Sequence, residues 1–170
     1  MIVKHDLETL YDYGYWANRR LFQVMSQLTP EQFTRSMGAG HESIRSTLVH
    51  ALSAEWGWLD RCGGPARGPR LNPADYPTVQ SVIGAWSKVE GHVRDFLSSL
   101  KDEDLVRNAE YTNEAGEKRS MPIGELMQHA ANHGVHHRGQ VALMLRLLGY
   151  TPGNFDILFY YADKRGVPAW

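Results

Sequence analysis

Apolar residues recur at three- and four-residue steps in four long stretches, the spacing of helices with one face turned to a core. In the first, Leu7, Leu10, Tyr11, Ala17, Leu21 and Met25 form the stripe. Asp6 is placed to cap this helix, because its carboxylate can accept an orphan amide of the first turn. Thr29-Pro30-Glu31 reads as a new cap with proline at the first helical position, opening a short helix over 30–35 that Gly38 and Gly40 end. The second long helix is expected over 43–61. It stops in segment 62–77, whose three glycines and four prolines exclude regular structure. The third begins after Pro77 with Thr78 as cap, and carries Val82, Trp86, Val89, Val93 and Leu97 on one stripe. The pattern fails near 101–104, and 106–122, polar and apolar by turns with Asn and Gly midway, reads as a small hairpin. The fourth helix starts near Ser120 or Pro122, continues to Leu148 and is closed by Gly149. A short helix over 154–163 ends the chain.

Four amphipathic helices with no strong strand set predict an all-α four-helix bundle in a single domain, 1–170. The 62–77 connection is long enough for a crossover, so simple up-down-up-down order is not required. A chain of 170 residues buries a sizeable core, roughly 70% of its unfolded surface. With 42% hydrophobic and 22% charged residues it falls outside the disordered and collagen-like classes. Lys and Arg number 18 against 19 Asp and Glu, a net charge of -1, so no general field steers the protein to nucleic acid or an anionic membrane. One cysteine excludes an internal disulfide framework and suits a reducing cytoplasm. No apolar run approaches the ~20 residues of a membrane span, and the opening residues read as an amphipathic helix rather than a signal peptide.

Histidine is the unusual count: 8 in all, four of them between residues 129 and 137. At about 100° per residue, with His133 as origin, His137 lies near +40°, His129 near -40° and His136 near -60°. Leu126, Met144, Ala130, Leu148 and Val141 set the core direction near +50° by the same arithmetic. His133 and His137 therefore point inward, and His129 and His136 lie on the flank. Side chains four apart on a helix stand ~6 Å apart, so two imidazoles can share one metal ion. Neutral core histidines satisfied by buried acceptors are the alternative, and the wheel leaves both open. A metal needs a third ligand; the helical candidates are His50, at the edge of its helix's apolar arc, and His92.

The segment NHGVHHRGQV (132–141), with SIRSTLVHALSAEWGWLDR (43–61) and YDYGYWANRRLF (11–22) before it and GYTPGNFDILFYY after it, resembles the DinB-like family of metal-binding four-helix proteins. That resemblance spans nearly the whole chain. It implies an up-down-down-up helix order, a homodimer, and a metal triad of His50, His133 and His137. His136 matches a position the family seldom uses as a ligand. Three neutral imidazoles leave open positions on an ion, as catalytic sites do, and the donor set suits zinc, nickel or iron. The related superfamily includes thiol-dependent S-transferases and maleylpyruvate isomerases. The implied function is a metal-dependent enzyme, such as a small-thiol S-transferase acting on electrophilic small molecules. The alternatives are a metal-dependent hydrolase, or a non-enzymatic protein in which metal staples a stress-response or ligand-binding bundle. The expected partners are a small molecule such as a low-molecular-weight thiol, with no nucleic acid and no membrane.

Other residues have structural readings first. Arg138 is expected to pair with a carboxylate such as Asp12 or Glu55, and Gly139 to permit close helix approach. Gln140 either packs on a neighbouring helix or contacts a ligand at the open site. Trp16, Trp56, Trp58 and Trp86 read as core, some of them free to wall a metal pocket. Cys62, without a second cysteine or a His–acid pair, is a poor nucleophile, and Glu55, off the His50 face, a poor general base. No catalytic acid or base emerges.

Overall fold

The computed structural model describes every residue except Met1, Ala39, Glu114 and Trp170. Four long helices, α1 (Lys4–Met25), α3 (Ile44–Arg61), α4 (Val79–Ser99) and α5 (Ile123–Leu147), form the bundle. Two short ones, α2 (Pro30–Thr34) and α6 (Ile157–Arg165), and an antiparallel hairpin of β1 (Asn108–Thr112) and β2 (Lys118–Pro122) complete it. The hairpin register pairs Asn108 with Pro122 and Thr112 with Lys118. α1 and α3 each pack against both α4 and α5, so the first two long helices of the chain sit across the bundle from one another. The main core runs through it, including Leu7, Leu21, Leu52, Val89, Val93, Leu126 and Met144, and a second, smaller cluster joins Tyr13 and Ala17 of α1 to Tyr160 of α6. No described helix is long and apolar enough to cross a membrane.

Most ends follow local chemistry. Ser43 Oγ accepts from Ser46 N and starts α3, and Thr78 caps α4 through Ser81 N. Thr29 and Gln32 form a reciprocal capping box at α2. Two expectations need correction. α1 begins two residues before Asp6, with Val3 in the capping position, because its first amide has a distant partner: Lys4 N donates to Asp102 Oδ1 at 2.7 Å. Of the two starts expected for α5, Ser120 is too early: the helix begins at Ile123 with Pro122 in the capping position, since residues 120–122 pair in the hairpin. Ile123 N and Gly124 N then donate to Arg107 O and Leu105 O, which ties the helix to the strand's approach.

A polar cluster lies inside the bundle. Glu55 of α3 is 7% exposed and Arg138 of α5 is 5% exposed. The expected ion pair takes another form. Asp12 is occupied by Arg94 at 2.7 Å, and Arg138 donates from Nη1 to Asn18 Oδ1 at 3.4 Å with its guanidinium 5.4 Å over Tyr13. Glu55 acts on Arg138 through charge, and its own oxygen accepts from Tyr15 Oη at 2.8 Å. Gly139 makes no close approach: a Cβ built there would meet no neighbouring atom within 4 Å. The tight contact lies within α5 instead, at Gly134, where a Cβ would stand 3.0 Å from Arg138 Nη1.

Burial pushes the Glu55 carboxyl up to about 7, with the Tyr15 hydrogen bond and the Arg138 charge pulling the other way. A carboxyl raised in the folded state binds its proton more tightly there than in the unfolded chain. Its contribution to stability is complete below about pH 4.5 and is lost as pH rises toward 7. Glu55→Gln keeps the Tyr15 contact without that titration. Its stability relative to wild type should therefore improve between pH 4.5 and pH 7.5, by at most about 3 kcal/mol. Urea unfolding of both proteins across that range checks it, and a constant difference would contradict it.

Candidate metal centre

Four imidazoles meet where α3, α5 and the loop before α3 converge. His50 comes from α3, His133 and His137 from successive turns of α5, and His41 from the loop. Ring centroids lie 4.3 Å apart for His133 and His137, 4.7 Å for His50 and His137, and 5.2 Å for His50 and His133. All three residues expected from the sequence are thus brought together. His41 stacks on His50 with centroids 3.7 Å apart and planes 23° apart. The ligand nitrogens of His41, His50 and His137 all lie within 4.8 Å of one another, so three histidines are positioned to hold a metal ion. Bonds of about 2.0–2.1 Å to one ion require donor nitrogens somewhat closer than that, a small inward movement. His133 Nε2 already lies 3.1 Å from His137 Nε2.

Helical phase explains the α5 pair, and a loop contact explains His41. Gly40 is pressed against α5 and α3: a Cβ there would meet Gln140 Oε1 at 3.0 Å and Met144 Cε at 3.1 Å. Glu42 on the other side of His41 adopts φ +71°, a left-handed conformation that costs a residue with a side chain energy. His41 N donates to Thr47 Oγ1 at 3.3 Å. The sequence argument missed His41 because a wheel ranks helix positions only. The available signal was its place between left-handed glycines and the Ser43 cap.

The protonation states suit ligation. Burial, with the neighbouring histidines adding to it, lowers His50 to about 4, and burial followed by His137 lowers His133 to about 4. Burial also lowers His137 and His41. All four are neutral imidazoles at pH 7. Gln140 fixes the tautomer of His137: Nδ1–H donates to Gln140 Oε1 at 2.8 Å, which leaves a lone pair on Nε2. Gln140 Nε2 donates in turn to His136 Nε2 at 3.0 Å, orienting the amide. The His137–His133 contact then has one arrangement in the metal-free protein, Nε2–H of His133 donating to Nε2 of His137. An ion would take both lone pairs instead. Gln140 is thus an orienting residue on the cluster rather than packing on a neighbouring helix.

The remaining candidates take other places. His129 is exposed and edge-on to Trp58 at 4.9 Å, and His92 sits edge-on to Trp56 at 5.5 Å. Trp86 is core, whereas Trp58 lines the cavity beside the cluster. Burial raises the Cys62 thiol to about 12, the reverse of what a nucleophile needs. The cavity has a volume of about 810 Å³ and includes His41, His50, His129 and His133 in its lining.

The profile of the DinB family matches residues 1–166. Protein DinB of Bacillus subtilis (strain 168) is 26% identical over 156 residues, covering 89% of this chain and 91% of its own. The uncharacterized protein YizA of the same organism is 25% identical over 142 residues, covering 84% and 87%. Among solved structures, a DinB-like protein from Bacillus cereus ATCC 10987 superposes with a TM-score of 0.72 at 22% identity, covering 90% of this chain and 97% of that one. An uncharacterised protein from Escherichia coli UTI89 gives 0.59 at 13%, covering 89% and 97%. The structural neighbours share the fold over about nine-tenths of the chain, and the family profile, matched over residues 1–166, places the chain in the DinB family.

Proposed function

We propose that this protein is a divalent-metal enzyme that activates a small thiol for transfer to an electrophilic small molecule. The observation that carries the reading is the convergence of neutral imidazoles, with His137 oriented by Gln140, beside a cavity large enough for a substrate. His50, His133 and His137 supply the ligands, the last two from consecutive turns of one rigid helix. His41, on a loop and exposed, stacks on His50 and acts at the position left for an incoming ligand. A zinc, nickel or iron ion held there supplies the Lewis acidity that keeps a bound thiol as thiolate at neutral pH. Gln140 keeps the His137 lone pair aimed at the centre, and Trp58 and Tyr111 wall the substrate space. Among the described residues no buried carboxylate faces the cluster as a base: Glu55 is turned to Tyr15. That favours thiol activation, in which the metal itself lowers the proton affinity of the nucleophile, over water activation through a separate base. We place the enzyme in the cytoplasm and expect it to act as a homodimer.

Elemental analysis of untagged protein should find about one equivalent of metal. His50→Ala, His133→Ala and His137→Ala should each lose it, and His41→Ala should retain it. Loss in His41→Ala with retention in His133→Ala would instead assign the loop histidine as third ligand. No metal in wild type after reconstitution would refute the reading altogether.

Gln140→Ala should leave the fold unchanged and weaken metal binding about 10–100-fold, as loss of an orienting hydrogen bond does. Competition with a chromogenic chelator measures it. Turnover of a thiol with monochlorobimane, absent in folded His137→Ala, would support the enzyme. Thiol binding without product would favour sequestration, and a bundle that simply melts without metal, with no thiol bound, would favour a staple.

A further inference from the structure

Three arginines, Arg61, Arg67 and Arg70, line the same cavity as the histidines. We infer that the cavity selects a ligand carrying an oxyanion, a carboxylate or a phosphate, which Arg61 and Arg67 hold while its reacting end lies at the histidine centre. The placement of that reacting end rests on the function proposed above; the anion site does not.

One face of α3 forms the floor. His50, Ser53, Gly57 and Arg61 follow one another at three- and four-residue steps, so they lie along a single stripe. Arg67 is folded back onto that stripe from the loop after α3. Its Nη1 donates to Ser53 O at 2.9 Å and to Ser53 Oγ at 3.2 Å, and its Nε to Gly68 O at 3.3 Å. Its guanidinium lies over Gly57, where a Cβ would stand 2.7 Å from Nη1, so a side chain at 57 would push the guanidinium out of this place. The neighbouring carboxylate of Asp60 accepts from the Arg67 backbone N at 3.1 Å, which leaves the guanidinium without that oxygen as a partner. Arg61 is held by ring faces, 4.5 Å over Trp58 and 5.6 Å over Tyr111, and no described carboxylate pairs with it.

Fixing like charges together is unfavourable unless a counter-charge arrives. Arg61 and Arg70 both act on Arg67, adding to the effect of its burial, with the Asp60 carboxylate acting in the opposite sense, and Arg70 also acts on His41 and His50. One positive field therefore covers the cavity from the arginines to the histidines, with Glu42 the one carboxylate among its described lining. Planar guanidinium groups match an oxyanion with paired hydrogen bonds. The helix also sets a length. At about 1.5 Å per residue, Ser53 and Gly57 lie about 5 and 10 Å from His50 along α3, and the Arg67 guanidinium sits between those two levels. A ligand with its anion several bonds from its reacting group fits.

The test uses zinc-loaded protein and a length-matched pair, ω-mercaptohexanoate and its uncharged alcohol ω-mercaptohexanol, with binding measured by calorimetry. The acid should bind at least tenfold more tightly than the alcohol. That ratio should fall toward one in Arg61→Gln and in Arg67→Gln, and in wild type as salt is added. Arg61→Gln removes charge without touching the hydrogen bonds by which Arg67 ties the loop to α3, so a folding defect in the second variant does not decide the outcome. Equal affinities in wild type, or a ratio unchanged in Arg61→Gln, would overturn the inference. Metal-free protein is titrated in parallel with succinate and with inorganic phosphate, which separates the two oxyanions. Failure of both thiols with retained, arginine-dependent binding of either anion would sink the thiol reading and keep the anion site. Failure of thiols and anions alike would sink both.

Discussion

The geometry of the histidine centre depends on where one buried charge can go. Arg138 is taken almost wholly out of water, at a cost of several kcal/mol before compensation. Its direct partners lie on α1, the Asn18 side chain and the Tyr13 ring, and the more distant charge of Glu55 on α3 adds to them. Any rotation of α5 about its axis would strip those partners from the guanidinium. Successive helix residues point about 100° apart, so fixing Arg138 toward α1 turns His137 toward α3, where His50 waits. Gly134 and Gly14 leave the space that this side chain fills. The bundle thus sets the aim of a ligand through the residue beside it.

Neutrality is the second condition. Four imidazoles in mutual contact would repel if protonated, and burial with mutual proximity holds His50 and His133 near 4. The centre is therefore a set of lone pairs at neutral pH, while the arginine wall remains charged. That division lets one cavity present a soft, uncharged donor set at one end and a fixed positive field at the other. The first suits a transition metal, and the second suits an anion.

What the sequence made legible follows from what is local. The four long helices, both short ones and the hairpin were readable because periodicity, Thr29, Ser43 and Thr78 all carry local signals. The start of α1 was not, because Asp102 lies 98 residues away from the amide it caps. The inward phase of His133 and His137 was an angular fact of one helix. His50 needed the family resemblance, since its place at the edge of an apolar arc said little. His41, Arg67 and the Asn18 partner of Arg138 were invisible for one shared reason. Each is placed by a contact between segments, and no period in the chain encodes it.

His41 and Arg67 have more in common than having been missed. Each is a loop residue whose backbone or side chain is pressed against a helix through a glycine, Gly40 against α5 and Gly57 beneath the Arg67 guanidinium. The helices supply His50, His133 and His137, whose positions are over-determined by the core. The loops supply the groups that meet whatever enters the cavity. Loop-borne groups can differ among proteins of one fold without disturbing the bundle, so ligand choice can change while the metal centre stays. The specificity of this chain should then be sought in segments 36–42 and 62–71 together with Arg61 at the end of α3, and its chemistry in the histidines of α3 and α5.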